Sequence, residues 1–158
     1  MHSNILDHAR TDKLYHMTLV EQYIAQNNFG KTLGMDFKII EPGLVHYFIT
    51  IKPEHLATPK AAHGGVISAL MDGLLGVTAL SVSAKDHHIV STIEFKINFL
   101  SAAFVGDTLQ GIGKVDQQGK RIIVTSGDII CPERNNIVIA KAMGTFNTYP
   151  AEKAGYAV

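Results

Sequence analysis

The sequence has little charge, one cysteine and no tryptophan. Charged residues occupy 18% of the 158 positions, and 14 basic side chains balance 14 acidic ones. Because a chain without net charge has no overall field to attract nucleic acid or an anionic membrane surface, we expect neither as a partner. The single cysteine, Cys131, excludes an internal disulfide and fits a reducing compartment, so the predicted location is the cytoplasm.

The sequence also lacks repeats, low-complexity tracts and long linkers. With 46% hydrophobic residues, 158 positions suffice for one buried core but not comfortably for two, so we expect a single domain over residues 1–158. The N-terminal residues MHSNILDHAR do not combine a basic start with an apolar run, which argues against a secretory signal.

The longest apolar stretch runs from His63 to Ala84, HGGVISALMDGLLGVTALSVSA, and contains a single charged residue, Asp72. The stretch is almost long enough to cross a membrane, but a carboxylate at its centre would cost about 2.5 to 3.5 kcal/mol on insertion scales. We therefore interpret the stretch as a long helix buried inside the fold, and we expect no membrane contact.

Two features of this stretch indicate chemistry. His63-Gly64-Gly65 leaves backbone N–H groups uncovered at a helix N-terminus, where the dipole attracts an oxygen that carries negative charge. A lone Asp72 in so apolar a helix is costly unless it has a partner or a task. Together they suggest acyl transfer. Two structural alternatives stay open: the glycines could serve only a tight helix entry, and Asp72 could be satisfied by N–H or hydroxyl donors.

The segments before this helix predict a further helix and a hairpin. Apolar positions over residues 11–28 follow approximately helical spacing. Pro42-Gly43 separates two strand-like runs, residues 34–41 and 44–51, and this arrangement predicts a β-hairpin. Residues 52–62 have two prolines and little periodicity, so we expect a loop that leads into the central helix.

The segments after the helix predict strands. Residues 89–100 alternate between apolar and polar side chains, which is typical of a half-buried antiparallel strand. The alternation predicts an apolar and a polar face: Ile93, Phe95, Ile97 and Phe99 on the first, Thr92, Glu94, Lys96 and Asn98 on the second. Short turns join three further runs into a predicted meander: residues 107–116, 121–131 and 136–148. One apolar helix against six antiparallel strands gives an α+β domain.

The HGG motif, the acidic residue nine positions after the histidine and the later segment TIEFKINFLSAA resemble the hotdog-fold acyl-CoA thioesterases. The resemblance is to the phenylacetic acid degradation (PaaI) type and the related 4-hydroxybenzoyl-CoA thioesterases. It spans about residues 34–148, which leaves residues 1–32 as an N-terminal helical extension. The resemblance implies the hotdog fold, a six-stranded antiparallel sheet wrapped around one long central helix, here with an additional N-terminal helix.

The resemblance also implies roles for individual residues. The Gly64 N–H would bind the thioester carbonyl, Asp72 would act as nucleophile or general base, and Thr92 would hold the water or the carboxylate. His63 would support the reaction, either by orienting the helix start through the loop backbone or by touching the substrate directly. The residues implied at the substrate and CoA are Gly65, Gln118, Gly119, Lys120 and Arg121. The chain departs from the family where Asn or Gln is often found six residues before the histidine, since Ala57 stands there.

Spacing along the helix bears on the oligomeric state. Eight residues separate Gly64 from Asp72, which is about 12 Å at the rise of an α-helix, whereas an attacking group and an oxyanion donor must both lie within roughly 3 Å of the reacting atoms. If both residues serve one carbonyl, they must come from two chains related by a two-fold axis. We therefore expect a homodimer with shared sites, and a dimer of dimers through the Glu94, Lys96 and Asn98 face is a further option.

The predicted function is hydrolysis of an acyl-CoA or aryl-acyl-CoA thioester to a carboxylic acid and free CoA. We expect no cofactor, because CoA is part of the substrate, and no metal, because the eight histidines lack ligand spacing. The alternative is an acyl-CoA binding or sensor module on the same fold. A hydratase is less consistent with the HGG and aspartate pattern. The sequence leaves open the acyl group and the choice between CoA and an acyl-carrier protein.

Overall fold

The computed structural model describes residues 18–157. Within this range the chain forms three α-helices, which are α1 (Leu19–Gln26), α2 (Asn28–Leu33) and α3 (Gly64–Ser83). The six strands of the same range are β1 (Asp36–Glu41), β2 (Leu44–Thr50), β3 (His88–Phe99), β4 (Thr108–Gln118), β5 (Ile122–Cys131) and β6 (Ile137–Pro150). The predicted α+β hotdog architecture is confirmed.

The N-terminal region contains two helices where the sequence predicts one. Thr18 caps α1 through a capping box, in which its side chain accepts from the Glu21 N–H and the Glu21 carboxylate accepts from the Thr18 N–H. Asn27 ends α1, and its Oδ1 then accepts from the Gly30 N–H and caps α2. The predicted helix is thus confirmed over residues 19–26, and its first part lies outside the described residues.

The strands form one antiparallel sheet in the order β1-β2-β4-β5-β6-β3. The predicted Pro42-Gly43 hairpin joins β1 to β2, and β4, β5 and β6 form the predicted meander. The position of β3 at the far edge, beside β6, does not follow from the sequence. Because β2 and β3 lie at opposite sides of the meander, α3 crosses the whole sheet between them, and the sheet curls around it.

Helix α3 supplies the centre of the core. Leu70, Leu74 and Leu75 are fully buried against the strands. The helix lies close to the sheet because Gly111 and Gly113 of β4 and Gly127 of β5 carry no side chain. A Cβ at Gly113 would lie 2.4 Å from Thr78 Oγ1, and one at Gly127 would lie 2.8 Å from a Leu74 methyl. The helix is long and apolar enough to span a membrane, but half of that stretch is buried inside the fold.

A β-bulge in β3 corrects one sequence prediction. The pairing of β3 with β6 shifts between Thr92 and Glu94, so that Ile93 has no partner in the ladder. The alternation therefore reverses at this point: Thr92 faces α3 together with Phe95, and Ile93 is 55% exposed. The prediction that Thr92 shares a face with Glu94 and Lys96, and Ile93 with Phe95, is wrong for Thr92 and Ile93.

Candidate active site

The N-terminus of α3 is built by His63. Its backbone N–H donates to the His55 carbonyl at 2.7 Å, which fixes the end of the loop, and its Nδ1 accepts from the Gly65 N–H at 2.7 Å. The imidazole is therefore the N-cap of α3. Because the Gly65 N–H already donates to His63, it is not available in this structure to bind substrate as the sequence predicts.

The Gly64 amide is the next donor of the helix start. No acceptor within residues 18–157 receives a hydrogen bond from its N–H, and Gly64 is exposed. A cavity of about 370 Å³ lies here, lined by Ala62, Gly64, Ile67, Phe99, Leu100 and Ala103 among others. A Cβ added at Gly64 would lie 3.7 Å from the Phe99 ring. The arrangement is an amide at the positive end of a helix dipole beside an apolar wall, which suits a carbonyl oxygen that gains charge.

Asp72 lies half-buried in the middle of α3 and is held by β3. Thr92 Oγ1 donates to its Oδ1 at 2.7 Å. The other carboxylate oxygen, Oδ2, has no hydrogen-bond partner in the part of the chain that the structure describes. One oxygen is thus fixed while the second can accept a proton from water or attack a carbonyl carbon. The expected pairing of Thr92 with the carboxylate is present, because the bulge turns Thr92 inward.

Asp72 lines a cavity of about 350 Å³ that Gly64 does not reach. Its apolar wall consists of Leu80, Ile89, Val90 and Phe146, and its aromatic wall of Tyr23, Tyr149 and Tyr156. Burial raises the pKa of the Tyr23 and Tyr156 phenols, so both stay protonated in the neutral range. The two predicted reaction partners therefore face separate cavities of one protomer, about 12 Å apart along α3.

The predicted CoA turn lies at the other end of α3. Gln118, Gly119 and Lys120 line a third cavity, of about 280 Å³, together with Ser83, His88 and Thr148. Arg121 does not line it; its carbonyl accepts from the Thr148 N–H at 2.8 Å. Strand β4 extends through Gln118, so the hairpin turn starts later than the spacing of the sequence predicts.

The aromatic wall near Asp72 was missed by reasoning from the sequence. Tyr23 comes from α1, Tyr149 from β6 and Tyr156 from the C-terminal segment. No short motif connects positions so far apart. The sequence signal that could have indicated this wall is the pair of aromatic residues after the last predicted strand, Tyr149 and Tyr156.

A cluster of potential metal ligands lies away from these cavities. One ligand atom each from Asp107, Cys131 and Glu133 falls within 4.8 Å of the others. Arg134 Nη1 donates to Asp107 Oδ2 at 2.8 Å, and the Thr108 N–H donates to Glu133. Because the Arg134 guanidinium already neutralises Asp107 and the Thr108 N–H occupies Glu133, the cluster is better described as an ion pair that fixes the β5–β6 turn than as a cation site.

Comparison with known proteins identifies the family of this chain. The sequence model of the thioesterase superfamily matches residues 60–138, half of the chain. The chain belongs to the thioesterase superfamily. It is 31% identical, over 63% of its length and 71% of the relative's, to a Pseudomonas aeruginosa protein named as a candidate esterase. It is 26% identical to the acyl-coenzyme A thioesterase PaaI of Escherichia coli, over 70% of this chain and 76% of that one.

Solved structures agree on the fold. The E. coli PaaI structure superimposes with a TM-score of 0.75 at 22% identity, covering 88% of this chain and 95% of the other. A Streptococcus mutans protein solved with acetyl-CoA matches with a TM-score of 0.66 at 25% identity, over 73% and 89% of the two chains. The chain is therefore a hotdog-fold thioester hydrolase of the PaaI type. Membership of this enzyme family favours the predicted enzyme over the binding-module alternative.

Proposed function

We propose that this thioesterase hydrolyses acyl-CoA at sites shared between two copies of the chain. The observation that carries the proposal is the position of two groups on one helix, about 12 Å apart. They are the Gly64 N–H, which donates to no acceptor within residues 18–157, and the half-buried carboxylate of Asp72. Within one protomer, Gly64 does not line the cavity at Asp72, and Asp72 does not line the cavity at Gly64. Two α3 helices that run antiparallel across a two-fold axis would bring each Gly64 to the partner's Asp72.

The reaction follows from the charges of these groups. The Gly64 N–H would polarise the thioester carbonyl, and a preorganised donor at a developing oxyanion is worth about 2.7 to 4 kcal/mol. The partner's Asp72 would accept a proton from water, whose oxygen adds to the carbonyl carbon. The C–S bond then breaks, and the thiolate takes up the proton to leave carboxylic acid and free thiol. Alternatively the partner's Asp72 attacks the carbonyl carbon directly, the C–S bond breaks and thiolate leaves. Water then hydrolyses the resulting anhydride to the carboxylic acid and the Asp72 carboxylate, and its remaining proton goes to the thiolate.

The surface beside Gly64 is suited to contact with a second copy of the chain. Phe99 and Leu100, at the end of edge strand β3, are 53% and 54% exposed, and Val105 in the following loop is 48% exposed. In the described residues β3 pairs only with β6, so its outer edge has free backbone groups. An exposed apolar patch next to an open strand edge favours association with a like surface. A homodimer is the smallest assembly that completes the site, and a tetramer through the outer sheet face is compatible with it.

We propose CoA as the carrier of the acyl group because of the names of two similar proteins. PaaI of E. coli is named as an acyl-CoA thioesterase, and the S. mutans protein was solved with acetyl-CoA. In this chain the exposed Lys120 lies beside the cavity at the β4–β5 turn, where it could approach a CoA phosphate. The proposed location is the cytoplasm, where acyl-CoA is available to an enzyme that needs no other cofactor.

The role of Asp72 can be tested by release of free thiol from acyl-CoA. Asp72→Asn keeps the shape and the hydrogen bond from Thr92 but removes the charge, and we expect turnover to fall by about 10²-fold or more. Asp36→Asn is the matched control, since Asp36 is exposed on β1 and its carboxylate accepts a hydrogen bond from the Phe37 N–H, which an asparagine oxygen can also accept. Full turnover by the Asp72 variant would reject the mechanism.

Mixed dimers test whether the site is shared. Gly64→Pro removes the N–H at the first helical position, where proline is well tolerated, and His63 already has the extended backbone that a following proline requires. Each single variant should be inactive, whereas co-refolding Gly64→Pro with Asp72→Asn should restore about a quarter of wild-type activity, because half of the random dimers then hold one intact site. No restoration would mean that the two groups act within one chain.

A further inference from the structure

The cavity beyond Asp72 has the character of an acyl pocket. It runs along α3 from Asp72 past Gly76 to Leu80, about 12 Å at the rise of the helix. Beyond Asp72 and Thr92 its lining is apolar or aromatic, apart from Ser91. An acyl chain needs only van der Waals contact, which the side chains of Leu80, Ile89, Val90 and Phe146 offer, whereas the two amides of the pantetheine arm would each need a hydrogen-bond partner on burial. The acyl group is therefore the better match for this space.

The far wall of this cavity comes from the two ends of the described chain. Tyr23 projects from α1, and Tyr156 from the C-terminal segment that follows β6. Tyr23 is anchored by its ring contact with Phe37, with a centroid distance of 6.2 Å, and by a hydrogen bond from the Asn27 side chain. The Tyr156 N–H donates to the Ala151 carbonyl at 3.2 Å, which closes a short 3₁₀ turn.

One side chain ties these two ends together. The Gln22 amide donates from Nε2 to the Ala157 carbonyl at 3.0 Å and accepts at Oε1 from the Ala157 N–H at 2.9 Å. Gln22 is only 2% exposed, so this double contact, the Gln22–Ala157 clasp, is shielded from competing water. The Gln22 side chain does not line the cavity; it positions the residues that do.

The clasp lies beside a second, smaller hydrophobic cluster. Leu19 and Ala151 pack with Leu80 and Ile89 in a small hydrophobic cluster, which is distinct from the main core between α3 and the sheet. Tyr156 packs against this small cluster, whereas Tyr23 also packs against the main core. Loss of the clasp would therefore displace mainly Tyr156, without removing the contact between Thr92 and Asp72.

We propose that the Gln22–Ala157 clasp is a specificity-determining contact, which fixes Tyr23 and Tyr156 as the end of the acyl pocket and so limits the length of the acyl group. This inference rests on the proposed acyl-CoA thioesterase function. Gln22 acts through the tyrosines and does not touch the substrate. Straight-chain acyl groups that end before this wall are substrates, and longer ones are disfavoured because they would meet the Tyr23 and Tyr156 side chains that line the cavity.

The test is a chain-length profile of kcat/KM, from acetyl-CoA to palmitoyl-CoA, for the wild type and three variants. Gln22→Glu keeps the shape but cannot donate to the Ala157 carbonyl, and Tyr156→Ala removes the wall directly. Both should raise kcat/KM for the long acyl chains, relative to the short ones, by about tenfold or more. Gln22→Glu should leave turnover of the short chains unchanged. Gln26→Glu, the same change on an exposed position one turn further along α1, is the control.

The outcomes separate the inference from the function it rests on. An unchanged profile in Gln22→Glu, or an equal shift in Gln26→Glu, overturns the clasp as the specificity determinant while hydrolysis stands. An unchanged profile in Tyr156→Ala overturns the wall as the end of the pocket. A uniform rise in KM at every chain length in Tyr156→Ala would show that the cavity holds the pantetheine arm, which also overturns the inference. Absence of hydrolysis of every acyl-CoA by the wild type overturns the proposed function itself. If Gln22→Glu does not fold, Gln22→Met, which keeps the length of the side chain and removes both hydrogen bonds to Ala157, takes its place.

Discussion

Thr92 on β3 donates a hydrogen bond of 2.7 Å to Asp72 on α3. The two residues are 20 positions apart, and the bulge at Ile93 is what turns the Thr92 hydroxyl toward the helix. The contact holds one carboxylate oxygen and leaves the other available. It joins the edge strand, which is also the proposed dimer edge, to the helix that carries both proposed catalytic groups.

The first prediction concerns this contact. Thr92→Val keeps the shape of the side chain and removes the hydroxyl, so the carboxylate loses a hydrogen bond of the charge-assisted kind, worth about 1.5 to 3 kcal/mol. We expect kcat to fall by about tenfold or more while KM for acyl-CoA changes little, because the contact orients the carboxylate and does not bind the substrate. Thr92→Ser restores the hydroxyl and should restore kcat. A fall in Thr92→Ser as large as in Thr92→Val would point to packing instead.

The second prediction concerns the β4–β5 turn. If Lys120 approaches a CoA phosphate, Lys120→Ala should raise KM for acyl-CoA by about two- to fivefold, as expected for one exposed charge contact, and added salt should reduce the difference. Lys38→Ala on β1, also exposed, should leave KM unchanged. An acyl thioester of N-acetylcysteamine has no phosphate and should not distinguish Lys120→Ala from the wild type; if it does, the lysine does not act through the phosphates.

The third prediction concerns the close approach of α3 to the sheet. A methyl group at Gly113 would lie 2.4 Å from Thr78 Oγ1 and 2.9 Å from Leu74, so Gly113→Ala should lower the free energy of unfolding by about 1 to 3 kcal/mol. Gly76→Ala is the matched change, because its methyl would meet Phe146 at an ordinary 3.5 Å. Inside a helix, that change should stabilise the fold by about 0.5 to 1 kcal/mol.

Urea unfolding followed by circular dichroism measures both glycine variants, at one protein concentration so that association does not shift the midpoint. Equal stability of Gly113→Ala and the wild type would mean that the helix can move away from β4 at no cost, in contrast to the packing seen here.

The fourth prediction concerns pH. Burial raises the pKa of the Tyr23 phenol above its ordinary value of 10.0, and burial also raises the pKa of Tyr47. A phenol that holds its proton more tightly when folded contributes stability that is complete below about pH 10 and is lost as the pH rises further. The free energy of unfolding should therefore fall above pH 10, and less steeply in Tyr23→Phe. Absorbance at 295 nm should show these phenols ionising together with unfolding; early ionisation in the folded protein would contradict the prediction.

The sequence reveals a large part of the fold, because the signals are local. The long apolar run predicts α3 to within a residue at each end, and Pro42-Gly43 predicts its hairpin, since each depends only on neighbouring residues. The candidate groups Gly64 and Asp72 are visible for the same reason: the glycine follows a helix cap and the aspartate interrupts an apolar surface. Their separation along the helix, which requires a second chain for a common site, also follows from the spacing alone.

What the sequence by itself determined was therefore the α+β class, the central helix and the chemical character of two positions on it. The tertiary structure decided the place of β3 beside β6, the bulge that brings Thr92 to Asp72, and the wall that Tyr23 and Tyr156 build behind them. The physical reason is distance along the chain. A strand's register and the closure of a pocket depend on contacts between segments that no local pattern couples, such as the Gln22 amide and the Ala157 backbone, 135 positions apart.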